Sequence, residues 1–101
     1  MTSKERAKLR SIASTMETIL QIGKNPISPE MLKQIDDALT AREMIKIKTL
    51  ETSELSPAEC AEKISGEVEC EIVQVIGSKI VLFRRRKKNS KKPSYLDETG
   101  K

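Results

Sequence analysis

Apolar residues recur at helical spacing in three segments of the chain, and each segment begins with a helix-capping pattern. Positions 2–5 and 56–59 have the pattern of a capping box, and Ser28 followed by Pro29 is a favourable start for the middle segment. Three helices are therefore expected, with the first ending near Thr15 and the third near Ser65, before Gly66.

Four further segments are predicted to be strands, because they are rich in residues that favour strands or alternate between apolar and polar residues. In the segment 44–50, Ile45 and Ile47 alternate with Lys46 and Lys48, so one strand face is apolar and the other carries two lysines. We expect the lysine face to be wet or to contact a ligand. The other strands are predicted at 18–22, 70–76 and 79–84, the last two joined by a tight turn at Gly77–Ser78.

The predicted order is therefore αβαβαββ. Strands separated by helices pair in parallel through right-handed crossovers, whereas two strands joined by a tight turn pair antiparallel. The expected fold is an α/β two-layer sandwich with a four-stranded mixed sheet in which the fourth strand is antiparallel. With 101 residues, the chain is long enough for one domain and too short for two.

Charge is unevenly distributed along the sequence, although the net charge is only +4. The segment 1–48 has nine basic and six acidic residues, 49–83 has two and seven, and 84–101 has eight and two. A polyanion would be repelled by the middle segment. If a nucleic acid binds, it should contact the N-terminal half and the C-terminal tail. Cations on the first helix fit either a solvated face or a binding face.

The segment 23–28 joins a predicted strand to a capped helix. A helix start leaves unpaired main-chain N–H groups and the positive end of the helix dipole, which together favour an anion. Lys24 and Asn25 lie at the tip of this loop, where they can reach a bound phosphate. The same sequence is also compatible with an ordinary strand-to-helix turn that carries a solvated lysine.

After the last predicted strand the sequence becomes strongly cationic, with seven basic residues among the nine of RRRKKNSKK. Such a segment cannot pack into a core, so we expect a folded domain over 1–84 and a disordered tail over 85–101. The tail is either solubilising or a nucleic-acid arm. The candidate RNA contacts of this cationic segment are Arg84, at the end of the domain, and Arg85, Arg86, Lys87 and Lys88 in the tail.

Several function classes are disfavoured. The sequence has no histidine, which is the commonest general base and metal ligand, so neither an enzyme nor a metal site nor a cofactor is expected. Asp36 and Asp37 are adjacent on a helix and diverge, which is typical of surface charges. Cys60 and Cys70 lack metal-ligand spacing, so two reduced, buried thiols are expected. No apolar run is long enough to span a membrane, and we expect a cytoplasmic protein.

Four segments of the sequence resemble the CRM domain, an RNA-binding module of chloroplast splicing factors and of bacterial YhbY proteins. They are KERAKLRSIA, ILQIG, MLKQIDDALTAREMIKIK and QVIGSKIVLFRR, and the resemblance covers about residues 3–84. It implies a sheet of order 1-2-4-3, like that of the C-terminal domain of translation initiation factor three, and RNA binding at a GxxG loop similar to that of KH domains. The corresponding residues here are Gly23, Lys24, Asn25 and Pro26, with proline in place of the second glycine.

The resemblance also implies a stand-alone bacterial member that associates with precursors of the large ribosomal subunit. We therefore expect a monomer without a small-molecule substrate or a membrane partner, which binds structured ribosomal RNA and assists assembly of the large subunit. RNA contacts are expected from the loop 23–26, from Lys46 and Lys48, and from the basic tail. The alternatives are a general RNA chaperone, a tRNA- or intron-binding protein, and a protein adaptor whose basic ends bind an acidic partner.

Overall fold

The computed structural model describes residues 2–24 and 27–85. Seven elements follow one another in the predicted order, and their bounds are α1 Ser3–Ala13, β1 Leu20–Ile22, α2 Pro29–Arg42, β2 Met44–Thr49, α3 Pro57–Glu67, β3 Glu71–Ile76 and β4 Lys79–Phe83.

All three predicted helix starts are confirmed. Thr2 and Glu5 form a complete capping box, in which the Glu5 main-chain N–H donates to Thr2 Oγ1 at 3.0 Å and the Thr2 N–H donates to Glu5 Oε1 at 3.1 Å. Ser56 and Glu59 repeat this arrangement at α3. At α2, Ser28 Oγ accepts from the Met31 N–H at 3.1 Å. Each cap satisfies donors that the helix itself leaves unpaired.

Several element ends differ from the prediction. Helix α3 continues through Gly66 to Glu67, because the Val68 N–H still reaches the Ile64 carbonyl at 2.8 Å and a glycine inside a helix costs only about 1 kcal/mol. Helix α1 ends at Ala13. The strands are slightly shorter than expected: β1 begins at Leu20, β3 at Glu71, and β4 ends at Phe83.

The four strands form one sheet in the order β1-β2-β4-β3, as expected. Strand β1 runs parallel to β2, and β4 is antiparallel to both β2 and β3. The hairpin turn lies at Gly77–Ser78, where Gly77 has a φ of 57° that favours glycine. A register shift between Ile72 and Gln74 marks a β-bulge in β3.

Alternation along β2 and β4 separates two apolar clusters on the two sheet faces. Ile45, Ile47, Ile80 and Leu82 lie on the face covered by α2 and α3, which we call the α2/α3 face. The α2/α3 face also receives the main helix side chains, Ile35, Leu39, Cys60, Ala61 and Ile64. All of these side chains are buried, so this cluster is the larger part of the core.

Helix α1 packs on the opposite face, which we call the α1 face. Its side chains Leu9 and Ala13 contact a second buried cluster formed by Met44, Val73, Val81 and Phe83. The predicted two layers account for α2, α3 and the sheet, and α1 adds a partial third layer. Alternation predicts two strand faces but does not say which helix covers each one, and this explains the difference.

The capping box of α1 gives a prediction about pH. The Thr2 main-chain N–H and, to a smaller extent, Arg85 lower the pKa of Glu5. Because the folded-state pKa lies below the unfolded-state pKa, the ionised carboxylate stabilises the fold above the unfolded value, and this contribution is lost as the pH falls through the folded value. Glu5→Gln keeps a capping side chain without the charge, so its melting temperature should be lower than the wild-type value at neutral pH and equal to it in acid.

The matched control is Glu17→Gln, an exposed position that lies outside the helices. It should leave the melting temperature nearly unchanged under both conditions. A destabilisation of Glu5→Gln that persists undiminished in acid would contradict a contribution from the charge.

Candidate nucleic-acid interface

The loop that follows β1 lies at the end of the sheet where β1 and β2 both terminate. The Leu50 N–H donates to the Ile22 carbonyl at 2.8 Å, which fixes the β2–α3 loop against the end of β1. A Cβ atom at Gly23 would lie 3.4 Å from both Leu50 Cδ1 and Thr52 Oγ1. Gly23 is therefore packed closely against the neighbouring loop.

Lys24 follows Gly23 and is exposed, and no hydrogen bond or ion pair joins its side chain to the described part of the chain. Asn25 and Pro26, which complete the predicted loop site, lie outside the described residues. The chain re-enters the core at buried Ile27, and Ser28 then caps α2. Lys24 thus stands close in sequence to the N-terminus of a 14-residue helix, the end that favours anions.

Lys46, a predicted RNA contact, has a structural role in the described fold. Its Nζ donates to the main-chain carbonyls of Ala13 at 2.9 Å and of Met16 at 3.2 Å. The Ala13 carbonyl belongs to the last residue of α1, where a cation is favoured by the helix dipole, and the Met16 carbonyl lies in the segment that follows the helix. The lysine face of β2 is therefore not open at Lys46, because α1 packs there and its last carbonyl needs a donor, and an RNA contact of Lys46 stays a prediction.

Lys48 lies on the same face as Lys46 but beyond the end of α1. It is half-buried, and its side chain has no hydrogen bond or ion pair with a described residue. In the sheet register Lys48 pairs with Gln21 of β1 on one side and with Lys79 of β4 on the other. Lys79 was not predicted as a site residue, because its position next to Lys48 depends on a pairing between strands that are distant in sequence.

Arg84 is held by α2. Its Nη1 donates to Asp36 Oδ1 at 2.6 Å, and its Nη2 donates to the Asp36 carbonyl at 2.8 Å and to Thr40 Oγ1 at 2.6 Å. A longer contact joins Nη1 to the Glu69 carbonyl at 3.4 Å. The Arg84 side chain is only 20% exposed. The Arg84 guanidinium, predicted to be available for RNA, is thus bonded within the fold. Asp36, which was interpreted from the sequence as a surface charge, is its partner.

Arg85 is exposed, and its Nη2 lies 3.7 Å from Glu5 Oε2. An ion pair this exposed contributes little to stability, so the guanidinium stays accessible to another anion. Arg86, Lys87 and Lys88 lie outside the described residues, as does the rest of the predicted disordered tail.

The fold separates the charged helices. Helix α1 carries exposed Lys4 and Arg10 on one side of the sheet, whereas α3, with exposed Glu59, Glu62 and Glu67, lies on the other. The remaining arginine of α1, Arg6, is used internally, because its Nη1 donates to the carbonyls of Ile72 at 2.6 Å and of Val73 at 3.1 Å within the β-bulge. A polyanion is therefore favoured on the α1 side and disfavoured on the α3 side.

The other features of the described residues do not form an alternative site. A groove of about 320 Å³ beside the start of α3 is lined by the acidic Glu51 and Glu54. Both cysteines are free, and Cys60 is buried as expected, whereas Cys70 is only half-buried. Partial burial still raises the pKa of the Cys70 thiol, which disfavours a reactive thiolate. Within 2–24 and 27–85 no cluster of side chains could hold a metal ion, and no helix there is long and apolar enough to cross a membrane.

A protein family and several known proteins are similar in sequence to this chain. A family model described as the CRS1/YhbY (CRM) domain matches residues 1–84. A probable RNA-binding protein of Bacillus subtilis, YqeI, is 38% identical over 89 residues, which are 88% of this chain and 93% of the relative. A probable RNA-binding protein of Methanocaldococcus jannaschii is 34% identical over 88 residues, which are 85% of this chain and 65% of the relative.

A solved structure has the same architecture. The solution structure of a hypothetical protein from Staphylococcus aureus, for which RNA binding has been suggested, superposes with a TM-score of 0.74. Its sequence is 42% identical, and the match covers 93% of this chain and 98% of that chain. The match extends over nearly the whole length of both chains.

Proposed function

The chain belongs to the CRS1/YhbY (CRM) domain family, and we propose that it is a non-enzymatic RNA-binding protein that associates with structured ribosomal RNA and assists assembly of the large ribosomal subunit. Relatives named as RNA-binding proteins, from a bacterium and an archaeon, support the RNA-binding part of the proposal. The role in large-subunit assembly rests on the family resemblance in the sequence.

The observation that carries the proposal is the exposed Lys24, unpaired within the described fold, which lies close in sequence to the start of α2 and follows the end of β1, the strand that pairs with β2 next to Lys48. A phosphate there meets a lysine side chain and the positive end of a helix dipole. With only one tyrosine and one phenylalanine in the chain, base stacking contributes little, so binding rests on phosphates, ribose hydroxyls and shape.

The predicted residues differ in the roles that we propose for them. Gly23 and Lys24 form the described half of the loop site, and Lys48 and Arg85 add accessible positive charge. Asn25 and Pro26 stay predictions from the sequence, as do Arg86, Lys87 and Lys88. Lys46 and Arg84 are proposed to stabilise the fold.

The proposal is tested by sedimentation of ribosomal particles from cells that express the tagged protein. The wild-type protein should co-sediment with precursors of the large subunit, and Lys24→Ala with Asn25→Ala should shift most of it to the top of the gradient. The matched control is Lys63→Ala, which removes an exposed lysine from α3 on the opposite side of the sheet.

Each other outcome points to a different function. Association that is unchanged in the double variant and resists ribonuclease would favour a protein adaptor. RNA recovered from many transcripts, without enrichment of large-subunit precursors, would favour a general RNA chaperone. Enrichment of tRNA or of introns would favour a tRNA- or intron-binding protein.

A further inference from the structure

Four side chains from four neighbouring strands form a row across the α1 face of the sheet. Gln21 of β1 pairs with Lys48 of β2, Lys48 pairs with Lys79 of β4, and Lys79 pairs with Ile76 of β3. Paired residues on adjacent strands point to the same side. We call these four residues the lysine row. They lie on the same face as Lys46, which precedes Lys48 by two residues in β2.

The lysine row is the part of this face that α1 leaves open. Lys46 marks the boundary, because its Nζ donates to the carbonyl of Ala13, the last residue of α1, and to the carbonyl of Met16 just after it. In the lysine row, Gln21 and Lys79 are exposed, Lys48 is half-buried and Ile76 is 56% exposed. These side chains are therefore accessible to a partner.

The two positive charges of the lysine row are not neutralised by carboxylates within the described fold. Lys48 and Lys79 are directly opposite each other, with Cβ atoms about 5 Å apart as in any antiparallel pair, and like charges at this position destabilise a sheet. Neither lysine has a carboxylate partner among residues 2–24 and 27–85. A polyanion laid across the row would neutralise both charges.

The lysine row is also continuous with the loop after β1. The Thr49 N–H donates to the Ser78 carbonyl at 2.7 Å, and the Leu50 N–H donates to the Ile22 carbonyl at 2.8 Å. These bonds bring the ends of β1 and β2 and the hairpin turn together at one end of the sheet. Gln21 is three residues before Lys24, so one nucleic-acid strand can contact both the row and the loop.

We propose that an RNA strand crosses the lysine row, with neighbouring phosphates on Lys48 and Lys79. The amide of Gln21 can bond a ribose 2′-hydroxyl or a base edge, and Ile76 gives an apolar contact at the far side. This inference rests on the proposed RNA-binding function and extends it from the loop to the open sheet face. It adds Lys79, Gln21 and Ile76 to the binding surface.

The test compares the salt dependence of RNA affinity between two double variants, with transcribed large-subunit ribosomal RNA as the probe. For Lys48→Gln with Lys79→Gln, the slope of log affinity against log salt should be shallower by roughly 1.4, because each phosphate that a lysine neutralises in single-stranded RNA adds about 0.7 to the slope. The control, Lys33→Gln with Lys63→Gln, removes the same charge from exposed positions on α2 and α3 and should keep the wild-type slope.

A second readout separates binding from folding. Lys79→Glu places opposite charges across the strand pair, so its melting temperature should be at least that of the wild type, while its RNA affinity falls. A wild-type slope in the Lys48→Gln, Lys79→Gln variant would overturn the inference and leave RNA binding through the loop intact. Absence of RNA binding by the wild-type chain would overturn the proposed function itself.

Discussion

Replacing Arg84 by alanine will lower the free energy of unfolding by about 2 kcal/mol. The guanidinium makes three short hydrogen bonds to α2, and its side chain is only 20% exposed, so truncation leaves the Asp36 carbonyl and Thr40 Oγ1 without these donors. The expected loss is smaller than for a fully buried ion pair, because the Asp36 side chain is 51% exposed and water can replace part of the interaction.

Urea unfolding followed by circular dichroism measures this loss. Arg84→Lys should recover only part of the stability, because an ammonium group cannot form the same fork of bonds to α2. Arg10→Ala, which removes an exposed arginine from α1, should change stability by no more than about 0.5 kcal/mol. If Arg84→Ala is as stable as the wild type but binds RNA more weakly, Arg84 is an RNA contact as the sequence suggested.

Reversing two charges at the proposed RNA surface should have the largest effect on binding. For Lys24→Glu with Lys48→Glu, we expect the affinity for large-subunit ribosomal RNA to fall by about 100-fold, because two repulsive charges replace two charge-assisted hydrogen bonds to phosphate. The fold should persist. Lys24 is exposed, and a glutamate at position 48 faces Lys79 across the strand pair.

The matched control for this variant is Lys33→Glu with Lys63→Glu. It changes the net charge by the same amount but acts at exposed positions of α2 and α3, on the opposite side of the sheet. Filter binding at constant salt should show near-wild-type affinity for the control. Equal losses of affinity in both variants would mean that net charge, and not this surface, determines RNA binding.

The order of elements and the sheet topology could be predicted from the sequence because their signals are local or agree with the family pattern. The capping residues Thr2, Ser28 and Ser56 and the turn at Gly77–Ser78 each lie next to the element that they define. Alternation along β2 correctly separated Ile45 and Ile47 from the opposite face. The strand order 1-2-4-3 came from the resemblance and is confirmed.

The roles of individual cations could not be predicted, because they depend on contacts between distant segments. Lys46 and Lys48 have equivalent positions in the strand pattern, but α1 ends over Lys46 and leaves Lys48 open. Arg84 looks like the first residue of a basic tail, but it is bonded to residues 48 and 44 positions earlier in the chain. Lys79 becomes a candidate only when the β2–β4 register is known.

Ultraviolet crosslinking in cells, with sequencing of the attached RNA, tests whether the chain binds large-subunit ribosomal RNA through the loop and the open sheet face. Crosslinks should be concentrated in one region of precursor large-subunit RNA, be abolished by Lys24→Glu with Lys48→Glu and be retained in Lys33→Glu with Lys63→Glu. Crosslinks that are absent, spread evenly over cellular RNA, or unchanged in the first variant would contradict this mode of binding.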